Sequence, residues 1–439
     1  MILHRVQVRE KIERVSVQIS LIRQPVYNEF FSPVGYELLH GFEDDTSATP
    51  VYSSEDSLIC RVLTNAFFGF SQEELSDGKP VYVSITNMLL IDGLVELYPP
   101  DRFYVEVPPN MFLDRKLAEC VSVLYRRGYH LVLKSFTPTV ERSRNLQYLN
   151  MFEEVRIDIG SNHRLRVKEF VKLLCKYRVR LTAENIDSPE ALSFAREEGF
   201  DAYQGSVFGE PGVLHSSASL RRLPYGKLFN HMLTGRVNRQ LCGSIIKEDP
   251  SLMHMFLRKA FNNLHNRKVP DLEVERGLAR LDDDQLRHWS AVLLLDQACQ
   301  NVLDETVPQV FRRGLFIERL AEETNLEVPP GRAFMFGVAS ALDRVFGEDM
   351  ETVVQQLALG DKMRSALLDT EDNEYTLLLR AARAYEENPE SPQLPPAFSG
   401  LGPDCMARIL WDCQVNTEYI IRALEYTVPT TYHGNLLKM

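Results

Sequence analysis

At or just past the ends of strand-like apolar runs in the first half of the chain stand Glu37 in GYELL, Ser84 in VSIT, Glu106 in YVEVPP, Lys134 with Ser135 in LVLKSFTPT, Asp158 in RIDIG, Glu184 in TAEN and Gln204 in YQGSVF. Parallel barrels keep their catalytic groups at the C-terminal ends of the strands, and those groups are often carboxylates. Glu37, Glu106, Glu184 and Asp158 fit that use. Lys134 and Ser135 do not, because an ammonium and a hydroxyl stand where the pattern asks for acids.

The elements that must position these residues are short and apolar on both faces. VSVQISL (15–21), VYVSIT (81–86), FYVEVP (103–108), HLVLKSF (130–136), VRIDIG (155–160), RLTAENI (180–186) and DAYQGSVF (201–208) read as strands of a parallel sheet covered by helices. Between them lie amphipathic stretches such as Leu58 to Phe67 and Val167 to Tyr177. Repeated βα units point to a barrel or a doubly wound sheet. After Pro211 the strand signal fades. Segments 244–264, 274–281, 285–303, 332–347 and 352–357 carry helical spacing, with Gly347 placed to cap the fourth. ENPESPQLPPAFSGLGPD (387–404) reads as a loop and Cys405 to Tyr426 as a last helix.

Composition narrows the function classes. The 439 residues, 44% hydrophobic and 25% charged, are those of a globular protein of two domains. A net charge of −12 disfavours a sequence-independent grip on nucleic acid, so nucleic acid is not an expected partner. Seven cysteines without a CxxC pair suggest neither a disulfide framework nor a zinc ribbon. The N-terminal residues lack the apolar core of a signal peptide, and no run approaches the roughly 20 apolar residues that span a bilayer. A cytoplasmic protein without membrane insertion is expected.

The ordered set RQPVYN...PVGYELL, YVEVPP, VRIDIG, TAENIDSPEAL and GFDAYQGSVFGEP resembles the EAL domain, a hydrolase of the bacterial second messenger cyclic di-GMP, across residues 15–215. GYELL in place of the EAL tripeptide is typical of a branch fused to a helical HDOD domain. IIKEDPSLMHMFLRKAFN and RAFMFGVASALDRVFGEDMETVVQQLALGDKMRSALL resemble parts of that second domain. The resemblance implies a TIM-like (β/α)₈-type barrel over residues 1–215, followed by an all-α HDOD domain over 216–439, with the join near 209–225.

An active EAL barrel, as the family is known, holds two divalent cations with carboxylates and an asparagine. The cations activate a water and stabilise charge on the phosphodiester. By this resemblance Glu37, Glu106 and Glu184 keep metal-binding positions, Gln204 matches the QG glutamine, and Asp158 matches the aspartate after the catalytic lysine. Asp158 reads equally as a strand-end cap. The departures fall on the chemistry. Ser84 replaces the asparagine, Arg156 the catalytic lysine, Lys134 and Ser135 the two metal-bridging aspartates, and Gly41 the arginine that helps hold the dinucleotide.

An ammonium at contact distance from a divalent cation costs on the order of several kcal/mol even at an effective dielectric near 20. A guanidinium stays protonated and is no tunable proton-transfer group. The expectation is therefore a vestigial pocket with no bound metal, no cofactor and no hydrolysis. In it the glutamates pair with Lys134 and Arg156 instead of metals.

The helical half offers no catalytic constellation. None of the ten histidines is followed by aspartate, and His254, His265 and His288 stand at no ligand spacing. Trp289 and Phe334 read as core. Three functions follow from the resemblance. They are a non-catalytic signalling protein that recruits a protein partner and forms a possible homodimer, a metal-independent cyclic di-GMP receptor, and an active phosphodiesterase. The lost ligands weigh against the third. Gly41, Lys134 and Ser135 weigh against the second, although a lysine can meet a phosphate.

Overall fold

The computed structural model describes residues 17–39, 55–136, 146–261, 268–269, 272–298, 306–389 and 392–422. Gly41 and His265 lie outside the described residues. So does the end of the expected last helix, which is described over Pro403–Arg422.

Eight strands close into a barrel. They are β1 (Val17–Asn28), β2 (Pro33–Leu39), β3 (Val81–Ser84), β4 (Tyr104–Val107), β5 (Leu131–Leu133), β6 (Glu154–Asp158), β7 (Arg180–Glu184) and β8 (Ala202–Tyr203). From β2 to β8 each strand pairs in parallel with the next, and β1 closes the ring by pairing antiparallel with both β2 and β8. The doubly wound alternative is thereby excluded. Helices follow most of the strands, and their apolar faces pack on the outside of the ring. Inside, Val26, Tyr82, Val132 and Ala202 form a separate small apolar plug.

Three strand readings are corrected. The first strand does not stop at Leu21 but runs through Pro25 to Asn28, with its pairing shifted between Val26 and Tyr27. Pro25 is tolerated because it stands opposite Tyr36, whose amide donates to the Pro80 carbonyl and not across to β1. PVGYELL is itself a strand, β2. Its Gly35 is required by packing, since a Cβ there would lie 2.4 Å from the Tyr82 ring. Finally, β9 (Gly212–Ala218) continues the sheet beyond Pro211, antiparallel to β1 from Arg23 to Val17. Its serines and histidine give no continuous apolar run, so it was invisible as a strand, and the expected join at 215/216 falls inside it.

Beyond β9 the described chain is helical. The expected helix over 332–347 is two, Pro330–Ala339 and Leu342–Phe346. At the break the Ser340 hydroxyl donates to the Gly337 carbonyl at 2.7 Å, while the buried Arg313 donates to the Ser340 carbonyl at 3.2 Å. Gly347, at φ 64°, caps the second helix as expected. The Pro-rich stretch is not all surface, because Phe398 is buried in the core. Trp289 and Phe334 are buried too, Trp289 with its ring 5.2 Å from Phe256.

Candidate functional site

Alternation along the strands sends every second side chain into the barrel. Arg156 follows Glu154 by two on β6, and Thr182 and Glu184 follow Arg180 in the same way on β7. Tyr82 and Ser84 on β3, Glu106 on β4, Glu37 on β2 and Lys134 just past β5 complete the set. The register fixes their levels, with Ser84 opposite Glu106 and Glu37 opposite Tyr82.

Arg156 is the hub. Its side chain is 0% exposed and its guanidinium lies 4.3 Å over the Tyr82 ring. Nη1 is 2.7 Å from Glu106 Oε1, 3.1 Å from Glu37 Oε2 and 3.9 Å from Glu184 Oε1, while Nε donates to Glu154 Oε1 at 2.9 Å. The Lys134 ammonium, whose side chain is 30% exposed, donates to Glu37 Oε1 and to Ser84 Oγ at 2.9 Å. It also lies 3.2 Å from Glu106 Oε2. Ser84 in turn donates to Glu106 Oε2 at 2.5 Å. Gln204 Nε2 donates to Glu37 Oε2 at 2.7 Å and to Gln24 Oε1 at 3.1 Å, and its Oε1 accepts from Arg156 at 3.2 Å.

Gly205 lets β8 approach closely enough for this, since a Cβ there would stand 2.2 Å from the Ile186 carbonyl oxygen. Ser135, at φ 48°, donates to Glu184 Oε2 at 3.2 Å.

Every oxygen of Glu37 and Glu106 thus faces a group of the chain itself. Burial pushes the Glu37 carboxyl up, but Lys134 and Arg156 outweigh it and hold the group below the usual range. For Lys134, burial works against the charge, and Glu106 and Glu37 more than restore it, so the ammonium is held above its usual pKa. Glu184 receives less cationic help. Burial, with the repulsion of Glu37 and Glu106, pushes it up to about 7 despite Arg156 and Lys134. Glu37, Glu106 and Glu154 thus face Lys134, Arg156 and Arg180, three carboxylates with three cationic side chains, and Glu184 is the fourth carboxyl of the cluster.

A divalent cation held as the family holds it needs these same oxygens. The donor set does not fit: a cation here would have to displace Lys134 and turn Glu37 and Glu106 away from Arg156. Among the described residues, no group of three or more His, Cys, Asp or Glu side chains is arranged to hold a metal ion.

Seven of the substituted or retained positions, Glu37, Ser84, Glu106, Lys134, Arg156, Glu184 and Gln204, converge in this network, and Ser135 touches its rim. Asp158 does not join it. Its carboxylate accepts from the Ser161 amide at 2.9 Å and its carbonyl from Asn162 at 2.6 Å, which is the work of a turn cap.

Sequence reading missed the lower half of the network. Glu154 pairs with Arg180, which also donates to the Tyr82 hydroxyl at 2.6 Å, and accepts from Thr182 at 2.8 Å. The signal was present as a polar or charged side chain at every second residue, Glu154–Arg156–Asp158 and Arg180–Thr182–Glu184, in strands otherwise largely apolar.

In the helical half His254 is buried with Nε2 3.6 Å from Asp92 Oδ2, and His288 lies 3.2 Å from Glu318. No helix among the described residues is long and apolar enough to cross a membrane.

Fold and site define a closed eight-stranded barrel whose strand-end carboxylates are neutralised from within, joined to a helical half. No family model matches the chain. It is similar to Cyclic di-GMP phosphodiesterase CdgJ of Vibrio cholerae, 26% identical over 361 residues that cover 81% of this chain and 82% of that protein. Similarity also extends to Uncharacterized protein YuxH of Bacillus subtilis, 23% identical over 381 residues, covering 85% and 91%. Among solved structures, an EAL domain protein from Listeria monocytogenes EGD-e is 16% identical with a TM-score of 0.35, covering 47% of this chain and 93% of that one. The barrel assignment itself rests on the strand pairing.

Proposed function

We propose that the chain is a non-catalytic signalling protein of the EAL–HDOD kind. Its barrel has exchanged cyclic di-GMP hydrolysis for an internal ion-pair network, and its helical half acts through a protein partner. The observation that carries this reading is the pairing of all four Glu37 and Glu106 oxygens with Lys134, Arg156, Ser84 and Gln204. The similarity to CdgJ supports a place in cyclic di-GMP-linked signalling. Domain division after β9, within 219–223, suits this reading better than 215/216, because the strand ends at Ala218 and the next helix starts at Pro224.

A second reading, a metal-independent cyclic di-GMP receptor, is favoured by the partly exposed Lys134 ammonium, a group that can meet a phosphate. Calorimetric titration with cyclic di-GMP, with and without Mg²⁺, separates the two. No heat in either case leaves the scaffold role, heat without metal supports the receptor, and hydrolysis with metal overturns both. The triple reversion Ser84→Asn, Lys134→Asp, Ser135→Asp then tests the ligand argument. If the unmodified chain and the revertant hydrolyse equally well, that argument is wrong.

A further inference from the structure

The helical half is docked on the barrel through a buried polar seam. Helix Pro250–Phe261 runs antiparallel to helix Glu55–Gly69. Asp249, which caps the former, accepts from Thr64 Oγ1 at 2.7 Å, and near the other end Arg258 Nη1 lies 3.4 Å from Asp56 Oδ2. The Tyr98 hydroxyl meets Ser251 Oγ at 2.7 Å between them. Asp56, Asp92, Asp249 and His254 are all buried, so a seam that could have been apolar carries polar groups instead.

Arg258 engages the C-terminal end of one short barrel helix, Asn87–Asp92, directly and its N-terminal end through Asp56. At its C-terminal end Asp92 Oδ2 is 2.9 Å from Arg258 Nη1. At its N-terminal end the cap Thr86, whose Oγ1 accepts from the Leu89 amide at 3.2 Å, donates to Asp56, the other carboxylate that Arg258 touches. Two residues before Thr86 stands Ser84, which accepts from Lys134 and donates to Glu106. Contacts from Arg258 through Asp56 to Thr86, carried on by the backbone from Thr86 to Ser84, therefore lead from the helical half to the barrel mouth.

A buried charge pair adds little to stability over an apolar replacement, but it makes a contact that is either formed or broken. We propose that Arg258 is an interdomain latch and a positioning residue, which ties helix Asn87–Asp92 to the helical half so that docking of that half sets the geometry of Ser84 and Lys134. The device operates whether or not the pocket binds a nucleotide.

The test uses the full chain. Amide exchange of residues 87–92 and the rate of Lys134 acylation by a small amine-reactive reagent, both read by mass spectrometry, are compared in wild type, Arg258→Met, Arg258→Lys and Lys268→Met. Lys268 makes a separate contact between the halves, 2.5 Å from Glu96, that does not touch the latch.

Arg258→Met is expected to raise both rates about tenfold, within the range of measured couplings between sites. Arg258→Lys should reverse most of that rise, and Lys268→Met should leave both rates unmoved. The latch is overturned if Arg258→Met leaves Lys134 acylation unchanged, or if Lys268→Met raises it equally, which would mean general loosening. Should Arg258→Met not fold, Thr86→Val cuts the same chain from the barrel side and is judged by the same two readings.

Discussion

The Lys134 ammonium lies 3.2 Å from the Glu106 carboxylate, on the opposite side of that group from Arg156 at 2.7 Å. Glu106 is buried, with one carboxylate oxygen toward each cation.

Removing one of these cations tests the arrangement. Lys134→Met leaves Glu37 and Glu106 with Arg156 as their remaining cation, and the variant should lose about 2 kcal/mol in urea denaturation. That is below the 3–5 kcal/mol typical of a broken buried pair, because the ammonium is partly open to solvent. An unchanged denaturation midpoint would show that the pair contributes nothing.

Arg156→Lys tests geometry at constant charge. A lysine cannot serve Glu154 below and Glu37, Glu106 and Gln204 above at once, nor lie flat on Tyr82. A loss of about 3 kcal/mol is expected from stranded buried carboxylates. Thermal unfolding of the two proteins decides it, and equal midpoints would remove Arg156 from its role as hub.

Glu184 gives the barrel a pH dependence of known sign. With its pKa raised from 4.5 to about 7 on folding, the folded state keeps a proton that the unfolded state gives up. Its contribution is therefore full below about pH 4.5 and lost as pH rises toward 7, on the order of 3 kcal/mol across the window. Glu184→Gln should flatten that slope. Denaturation midpoints measured between pH 4.5 and 7 that fall equally in both proteins would assign the slope elsewhere.

Gly205→Ala places a methyl against the Ile186 backbone and should cost about 1–3 kcal/mol, as overpacking does. Because the neighbouring Gln204 holds Glu37, the change should also speed amide exchange in β2. Exchange that is unaltered there would mean that β8 and β2 are not coupled through Gln204.

Much of this was legible in the sequence because period-two strands and their polar ends are local signals. Lys134 and Arg156 could be set against Glu37, Glu106 and Glu184 through the resemblance of the ordered motifs to the EAL domain. Glu154 and Arg180 were not, because they stand at strand beginnings, where catalytic reasoning does not look. β9 escaped because its serines and histidine break any continuous apolar run. The Arg258 contacts join residues about 200 positions apart, Asp56 to Arg258, which no local pattern encodes.

The antiparallel β1 has a temporal consequence. It is made first, yet its partners β8 and β9 arrive only with residues 202–218, and Gln24 must wait for Gln204, 180 positions later. During synthesis at about 5–20 residues per second the unclosed barrel persists for on the order of ten seconds or more with its edges unpaired. The ring closes just as the first residues of the helical half are being made, so the surface that receives helix Pro250–Phe261 is finished shortly before that helix emerges.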